Sequence, residues 1–175
     1  MRRLRSERQL SVRTLANRAG FSPSFISQVE RNQASPSIAS LERLAGALGV
    51  TLGQFFRDST EEPEAVTRAA GRQRLTSWWS RARVEALSPM HAGRRFEAVM
   101  ITLAAGGSSG KRPHAQRGEE FVIVFEGEVR LTLGSTRYVL GRGDTVSFEA
   151  STPRRWENPA RTPARLVIVS SRLTH

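Results

Sequence analysis

The sequence predicts an α plus all-β protein of two domains. Residues 1–57 read as five short helices, residues 74–175 as a strand-rich sandwich or barrel, and residues 58–73 as the linker between them. Three observations predict this. Apolar residues recur at helical spacing as far as Phe56 and alternate with polar ones beyond Phe96. Capping serines and terminating glycines punctuate the first part, while turn pairs such as Gly134-Ser135 and Asn158-Pro159 punctuate the second. Between them, Asp58-Ser-Thr-Glu-Glu-Pro-Glu64 breaks both patterns with four acids and a proline, the composition of a join across which domains move.

The helices follow in order. Leu4 and Leu10 face inward on the first, whose outer side is arginine. Ser11 caps the second, where Val12, Leu15, Ala16 and Ala19 share one face, and Gly20 ends it in the left-handed conformation of a tight turn. Ser22 caps the third, with Pro23 at the first helical position, where no N–H is needed, and with Phe21 and Ile26 at the two positions of a hydrophobic staple. Ile26 and Val29 form its buried side. Ser37 opens the fourth, a stripe of Ile38, Leu41, Leu44, Ala45 and Leu48 closed by Gly49. Thr51 caps the fifth, which carries Leu52, Phe55 and Phe56.

Composition narrows the partner. The chain of 175 residues has a formal net charge of +11, with 38% hydrophobic and 25% charged residues, which suits a globular protein with an anionic partner, nucleic acid before an anionic membrane. The first 57 residues hold nine arginines and three glutamates. All but one of the 27 cations are arginine, the residue suited to two-pronged contacts with phosphate and guanine. With no cysteine, a disulfide framework or thiolate metal site is impossible. The basic start lacks an apolar signal core and no run reaches membrane-spanning length, so a cytoplasmic place and no membrane partner are expected.

Two short helices about Ala19-Gly20-Phe21 form a helix-turn-helix, and residues 1–57 resemble the phage-repressor-type (lambda-repressor-like) DNA-binding domain of the XRE regulators. The turn glycine, the Ser22-Pro23-Ser24 cap, the Gln28-Val-Glu-Arg-Asn32 end and Leu48-Gly49 carry the resemblance. It implies double-stranded DNA as partner. Ser22, Pro23, Ser24 and Gln28 would approach bases, Ser11, Arg31, Asn32 and Ser35 would hold phosphates, and Arg5 would pair with Glu30. Gln28 is the candidate for direct readout, since its amide can bond adenine through two atoms at once. Taken singly, each of these residues fits the solvated surface of a bundle; the ordered set of caps, turn and spacings does not.

In the second part the strands are Phe96–Leu103, Phe121–Phe125, Val129–Leu133, Tyr138–Leu140, Val146–Phe148 and Leu166–Val169, a number and spacing suited to a jelly roll. Within it His114-Ala-Gln-Arg-Gly-Glu-Glu120, Phe125-Glu-Gly-Glu-Val129, Gly143-Asp144 and Pro153-Arg-Arg-Trp-Glu-Asn158 resemble the two motifs of a cupin over residues 94–170. Metal cupins bind through two histidines and a glutamate of the first motif and a histidine of the second. Here His114 and Glu120 match, but Gln116 and Arg154 stand at the other two positions. An arginine cannot coordinate, so no metal and no cofactor are expected.

His114, Gln116, Glu120 and Arg154 instead suggest a polar pocket in an apolar barrel, with Trp156, Trp78 and Trp79 lining it or filling the core. The pocket either holds a small polar ligand, an anion favoured by Arg154, or is a buried Glu120–Arg154 pair filling an unused cavity. No catalytic residues are expected: His91, His114 and His175 stand in no convincing nucleophile-and-base set, and no glycine-rich phosphate loop is present. The function expected is that of a one-component transcription regulator, a homodimer whose operator binding is modulated by a small-molecule effector. Its rivals are a metal-dependent cupin enzyme with an autoregulatory DNA-binding head, and a constitutive DNA-binding dimer whose barrel is purely structural.

Overall fold

The computed structural model describes residues 1–50, 52–55, 66–77, 80–88 and 96–171. Thr51, Phe56, the acidic stretch 58–64, Trp78, Trp79, His91 and His175 lie outside the described residues.

Among the described residues four longer helices form the N-terminal domain: α1 Arg2–Glu7, α2 Val12–Ala19, α3 Pro23–Glu30 and α4 Ile38–Ala47. Of the expected fifth helix, the described residues form one turn, Leu52–Phe55. Serine caps set three of the starts. The hydroxyls of Ser11, Ser22 and Ser37 accept from the backbone N–H groups of Thr14, Phe25 and Ser40 at 3.0, 3.1 and 3.1 Å, each satisfying a donor that the helix leaves unpaired. The first helix is shorter than expected. It stops at Glu7, Gln9 turns left-handed, and Leu10 packs on the helical core from the loop that follows.

Gly20 ends α2 with φ 65°, and a Cβ there would also run into the Arg43 guanidinium. That guanidinium donates to the carbonyls of Ala19 and Gly20 at 2.6 and 3.0 Å and lies 4.3 Å over the Phe21 ring, so α4 latches the corner of the helix-turn-helix.

Among the described residues the second domain has nine strands: β1 Arg74–Ser77, β2 Ala82–Ala86, β3 Phe96–Leu103, β4 Glu119–Glu126, β5 Glu128–Leu133, β6 Thr136–Gly141, β7 Thr145–Glu149, β8 Arg154–Glu157 and β9 Ala164–Ser171. They form an antiparallel six-stranded sheet, ordered β1-β2-β3-β9-β4-β7, and a three-stranded one, β6-β5-β8. Val99, Ile101, Val122, Val124, Leu166 and Ile168 of the first sheet meet Val129, Leu131 and Trp156 of the second in one core. Three strands were not marked in the sequence. β1 and β8 are only four residues long, and β2 carries the buried Glu85, which faces the guanidinium groups of Arg72, Arg74 and Arg83 at 3.9, 3.7 and 3.1 Å.

The two domains share packing, where the sequence suggested units free to move. α4 is buried on both sides: Leu44 and Ala45, with Leu48 at its end, belong to the helical core, and Ile38 and Leu41, with Leu52 of the next turn, join the core of the barrel. Each such buried aliphatic side chain is worth roughly 1.5–3 kcal/mol. Polar contacts fix the register. The Ala39 N–H donates to the Ser109 carbonyl at 3.0 Å, the Ser35 hydroxyl donates to the Thr76 carbonyl at 3.2 Å, and a Cβ on Gly110 would lie 2.8 Å from that of Ala39.

Candidate functional site

The reading face is built on the N-terminal ends of α2 and α3 and on the loop after α3. Ile26 and Val29 anchor α3 in the core, which turns Ser22, Pro23, Ser24 and Gln28 to solvent. Arg31 and Asn32 follow, both exposed, with Asn32 at φ 56°. Ser11 is exposed at the start of α2, its hydroxyl also within 2.8 Å of that of Thr14. Seven of the eight expected DNA contacts therefore stand on exposed surface. Ser35 is the exception, half-buried and turned to Thr76 of the barrel.

Behind this face the Arg5 guanidinium grips both oxygens of Glu30 at 2.8 and 3.0 Å and donates to the Leu10 carbonyl at 2.8 Å, the pairing that the family resemblance implied. A two-pronged, half-buried pair of this kind holds the end of α3 in a single orientation.

The pocket forms where the two halves of the barrel motif meet. The backbones of His114 and Arg154 pair with each other through N–H···O bonds of 3.0 and 2.8 Å, so both side chains start from one strand bridge. The Arg154 side chain is fully buried. It forms an ion pair with Glu120, donates to the His114 carbonyl at 3.3 Å, and lies 5.9 Å over the Phe148 ring. Gln116 donates to the same Glu120 oxygen at 2.5 Å, and the Ser170 hydroxyl lies 3.5 Å from it. Four of the five expected pocket residues thus come together. Trp156 belongs to the apolar core, paired with Leu131 across the small sheet.

A further carboxylate enters from the other domain. Glu42, on the barrel face of α4 one turn beyond Ile38, places Oε2 2.6 Å from His114 Nε2 and 3.5 Å from Arg154 Nη2. Its side chain is 7% exposed. Burial pushes the Glu42 carboxyl up, but the charges of His114 and Arg154 outweigh it and hold it at about 2. Burial pushes Glu120 up to about 7 against the pull of Arg154, with the Glu42 charge adding to the rise. Two carboxylates competing for one guanidinium are driven apart in this way. Arg154 Nε, His114 Nδ1, Glu120 Oε2 and Glu42 Oε2 are buried and have no well-aligned hydrogen-bond partner among the described residues, so Glu42 is held by charge and proximity. Beside the pocket, a cavity of about 420 Å³ opens between the ends of β3, β4, β7 and β9 and is lined in part by Glu120 and Phe148.

The donor set does not fit a metal. Gln116 and Arg154 occupy the two missing histidine positions, the guanidinium sits on Glu120, and among the described residues no three acidic or histidine side chains are disposed to hold an ion.

Glu42 and Arg43 escaped the sequence reading, because Leu41-Glu-Arg-Leu44 looks like an ordinary amphipathic turn with its charges in water. One signal was available: the apolar residues of α4 cover too wide an arc for a helix with a single partner.

Comparison with known proteins agrees with this two-part architecture. Residues 1–55 match the helix-turn-helix family and residues 99–170 the cupin domain family. The chain is 28% identical to the HTH-type transcriptional regulator PuuR of Escherichia coli (strain K12) over 167 residues, covering 94% of this chain and 88% of that one. It is 27% identical to the HTH-type transcriptional regulator SutR of the same organism over 158 residues, covering 90% and 84%. The crystal structure of an HTH_3 family transcriptional regulator from Vibrio cholerae superposes with a TM-score of 0.78 at 23% identity, covering 99% and 93%.

Proposed function

We propose, for a chain that is a transcriptional regulator joining an XRE-type helix-turn-helix domain to a cupin domain and homologous to PuuR and SutR, a ligand-modulated switch. The chain binds a double-stranded operator as a homodimer in the cytoplasm, and a small polar ligand in the barrel, an anion before other classes, sets how well it binds. It is not an enzyme. Gln28 reads an adenine edge while Ser22, Pro23 and Ser24 approach neighbouring bases, and Ser11, Arg31 and Asn32 hold phosphates, the Ser35 hydroxyl being given to Thr76. The recognition helices of the two copies lie roughly 34 Å apart, to meet successive major grooves. Phe96, Phe121 and Phe125, 44–55% exposed on the outer side of the large sheet, offer apolar area to the second copy.

The observation that carries this reading is the double burial of α4. A ligand shifts DNA affinity only if the two sites share an element whose arrangement both can bias. α4 is that element, packed on the barrel through Ile38 and Leu41 and on the reading head through Leu44 and Leu48. The test is selection of genomic DNA fragments by the purified full chain, followed by affinity measurements on the enriched operator with and without native-host metabolite extracts. Failure to enrich any sequence overturns operator binding. An operator affinity indifferent to every extract fraction overturns the modulation.

A further inference from the structure

The barrel supplies His114, Gln116, Glu120 and Arg154, but the group that closes their charge balance comes from the DNA-binding domain. Glu120 already takes up the Arg154 guanidinium, and an ionised carboxylate added in so dry a place is costly unless cations compensate it. Glu42 is compensated by its contacts of 2.6 Å with His114 and 3.5 Å with Arg154. Removing it would leave a donor-rich spot, with the unpartnered Nε of Arg154 close by, that calls for an anion of the same shape. Elsewhere on the interface, apolar contacts are joined by bonds from Ala39 and Ser35 to backbone carbonyls. Among the described residues, Glu42 carries the head's contact with the pocket chemistry.

We propose that Glu42 is an internal ligand of the barrel, occupying from the reading head the position at which a small carboxylate effector binds, so that effector binding and docking of α4 exclude each other. This rests on the reading of the barrel as a ligand-binding domain, and it adds the ligand class and the competing group. The intact chain binds a free carboxylate weakly, because Glu42 holds the position at high effective concentration. An effector that succeeds must displace Ile38 and Leu41 as well, and thereby frees the head.

The decisive variant is Glu42→Ala in the full chain. The substitution deletes CH2–COO⁻, which is the size of acetate, so acetate is the probe. Sodium acetate, against sodium chloride at equal ionic strength, should raise the Tm of E42A by several degrees as any native-state ligand does. It should leave E42Q, whose amide fills the same space, unmoved, and ¹³C-acetate saturation transfer should register binding to E42A alone. Equal responses of E42A and E42Q, or of acetate and chloride, overturn the proposal. Should E42A fail to fold, hydrogen exchange of the wild-type chain decides. Concentrated acetate, and not chloride, should speed exchange of the Ala39 amide that the Ser109 carbonyl protects, and unchanged exchange overturns the proposal. The two readings fail separately. Acetate bound to E42A without any change in operator affinity supports the pocket assignment and removes the regulatory role. An effector that alters operator binding while acetate ignores E42A does the reverse.

Discussion

Glu42 and Arg43 are neighbours in sequence and are held by opposite domains. The Glu42 carboxylate sits against His114 and Arg154 in the barrel, while the Arg43 guanidinium caps the carbonyls of Ala19 and Gly20 at the turn before α3. One turn of α4 thus touches both the pocket and the corner that aims the recognition helix.

Arg43→Ala removes two charge-assisted hydrogen bonds and a stacking contact, and should cost about 1–3 kcal/mol of stability in urea unfolding. Operator affinity should fall as well, because the start of α3 loses its brace. Unchanged unfolding would show that solvent serves those carbonyls equally well.

On DNA, Gln28→Ala should relax preference at one operator position at a cost of ~1–3 kcal/mol there, whereas Arg31→Ala should weaken all sequences alike and lower the salt slope by about one. Anisotropy titrations on operator and random duplex at several salt concentrations separate the two. Equal losses of Gln28→Ala on both duplexes would remove it from base readout.

The two buried glutamates give opposite pH limbs. Glu42 is lowered from 4.5 to about 2, so its contribution is present above pH 4.5 and is lost as pH falls toward 2. Glu120 is raised from 4.5 to about 7, so its native form keeps a proton that the unfolded chain has released, and its contribution is present below pH 4.5 and is lost as pH rises toward 7. Glu120→Gln, neutral at every pH, should flatten the upper limb of a Tm–pH profile relative to wild type. An identical upper limb would refute the raised Glu120.

Arg154→Ala leaves Glu120 and Glu42 buried without their guanidinium, and should destabilise the chain by about 3–5 kcal/mol. The double variant Glu120→Ala with Arg154→Ala should lose less than the two single losses together, a coupling readable in a denaturation cycle. Strict additivity would mean that the ion pair contributes nothing of its own.

Elemental analysis of the purified chain should find no stoichiometric iron, manganese or zinc. Metal at one equivalent, lost in His114→Ala, would favour the enzyme reading over the regulator.

Much of this was legible in the sequence because it depends on local chemistry. Ser11, Ser22 and Ser37 announce helix starts wherever they stand before a suitable apolar pattern, Gly20 announces the turn, and alternation in Phe96–Leu103 announces a strand. The meeting of His114, Gln116, Glu120 and Arg154 was legible only through the motif resemblance, since no periodicity brings residues 40 positions apart together. What stayed hidden is what two domains do to each other. Nothing local to Glu42 distinguishes a solvated glutamate from one inserted in a barrel, and β1, β2 and β8 owe their strand form to neighbours more than to their own short, charge-interrupted sequences.

The double packing of α4 also bears on how the chain can be recombined. Severed at residue 57, the head would carry Ile38, Leu41 and Leu52 into water, and the barrel would be left with an open, cation-lined mouth. A chimera that joins this barrel to a foreign head must bring the matching side of α4 with it. The seam between reader and sensor runs lengthwise along a helix, and a crossover placed in the linker would cut on the wrong line.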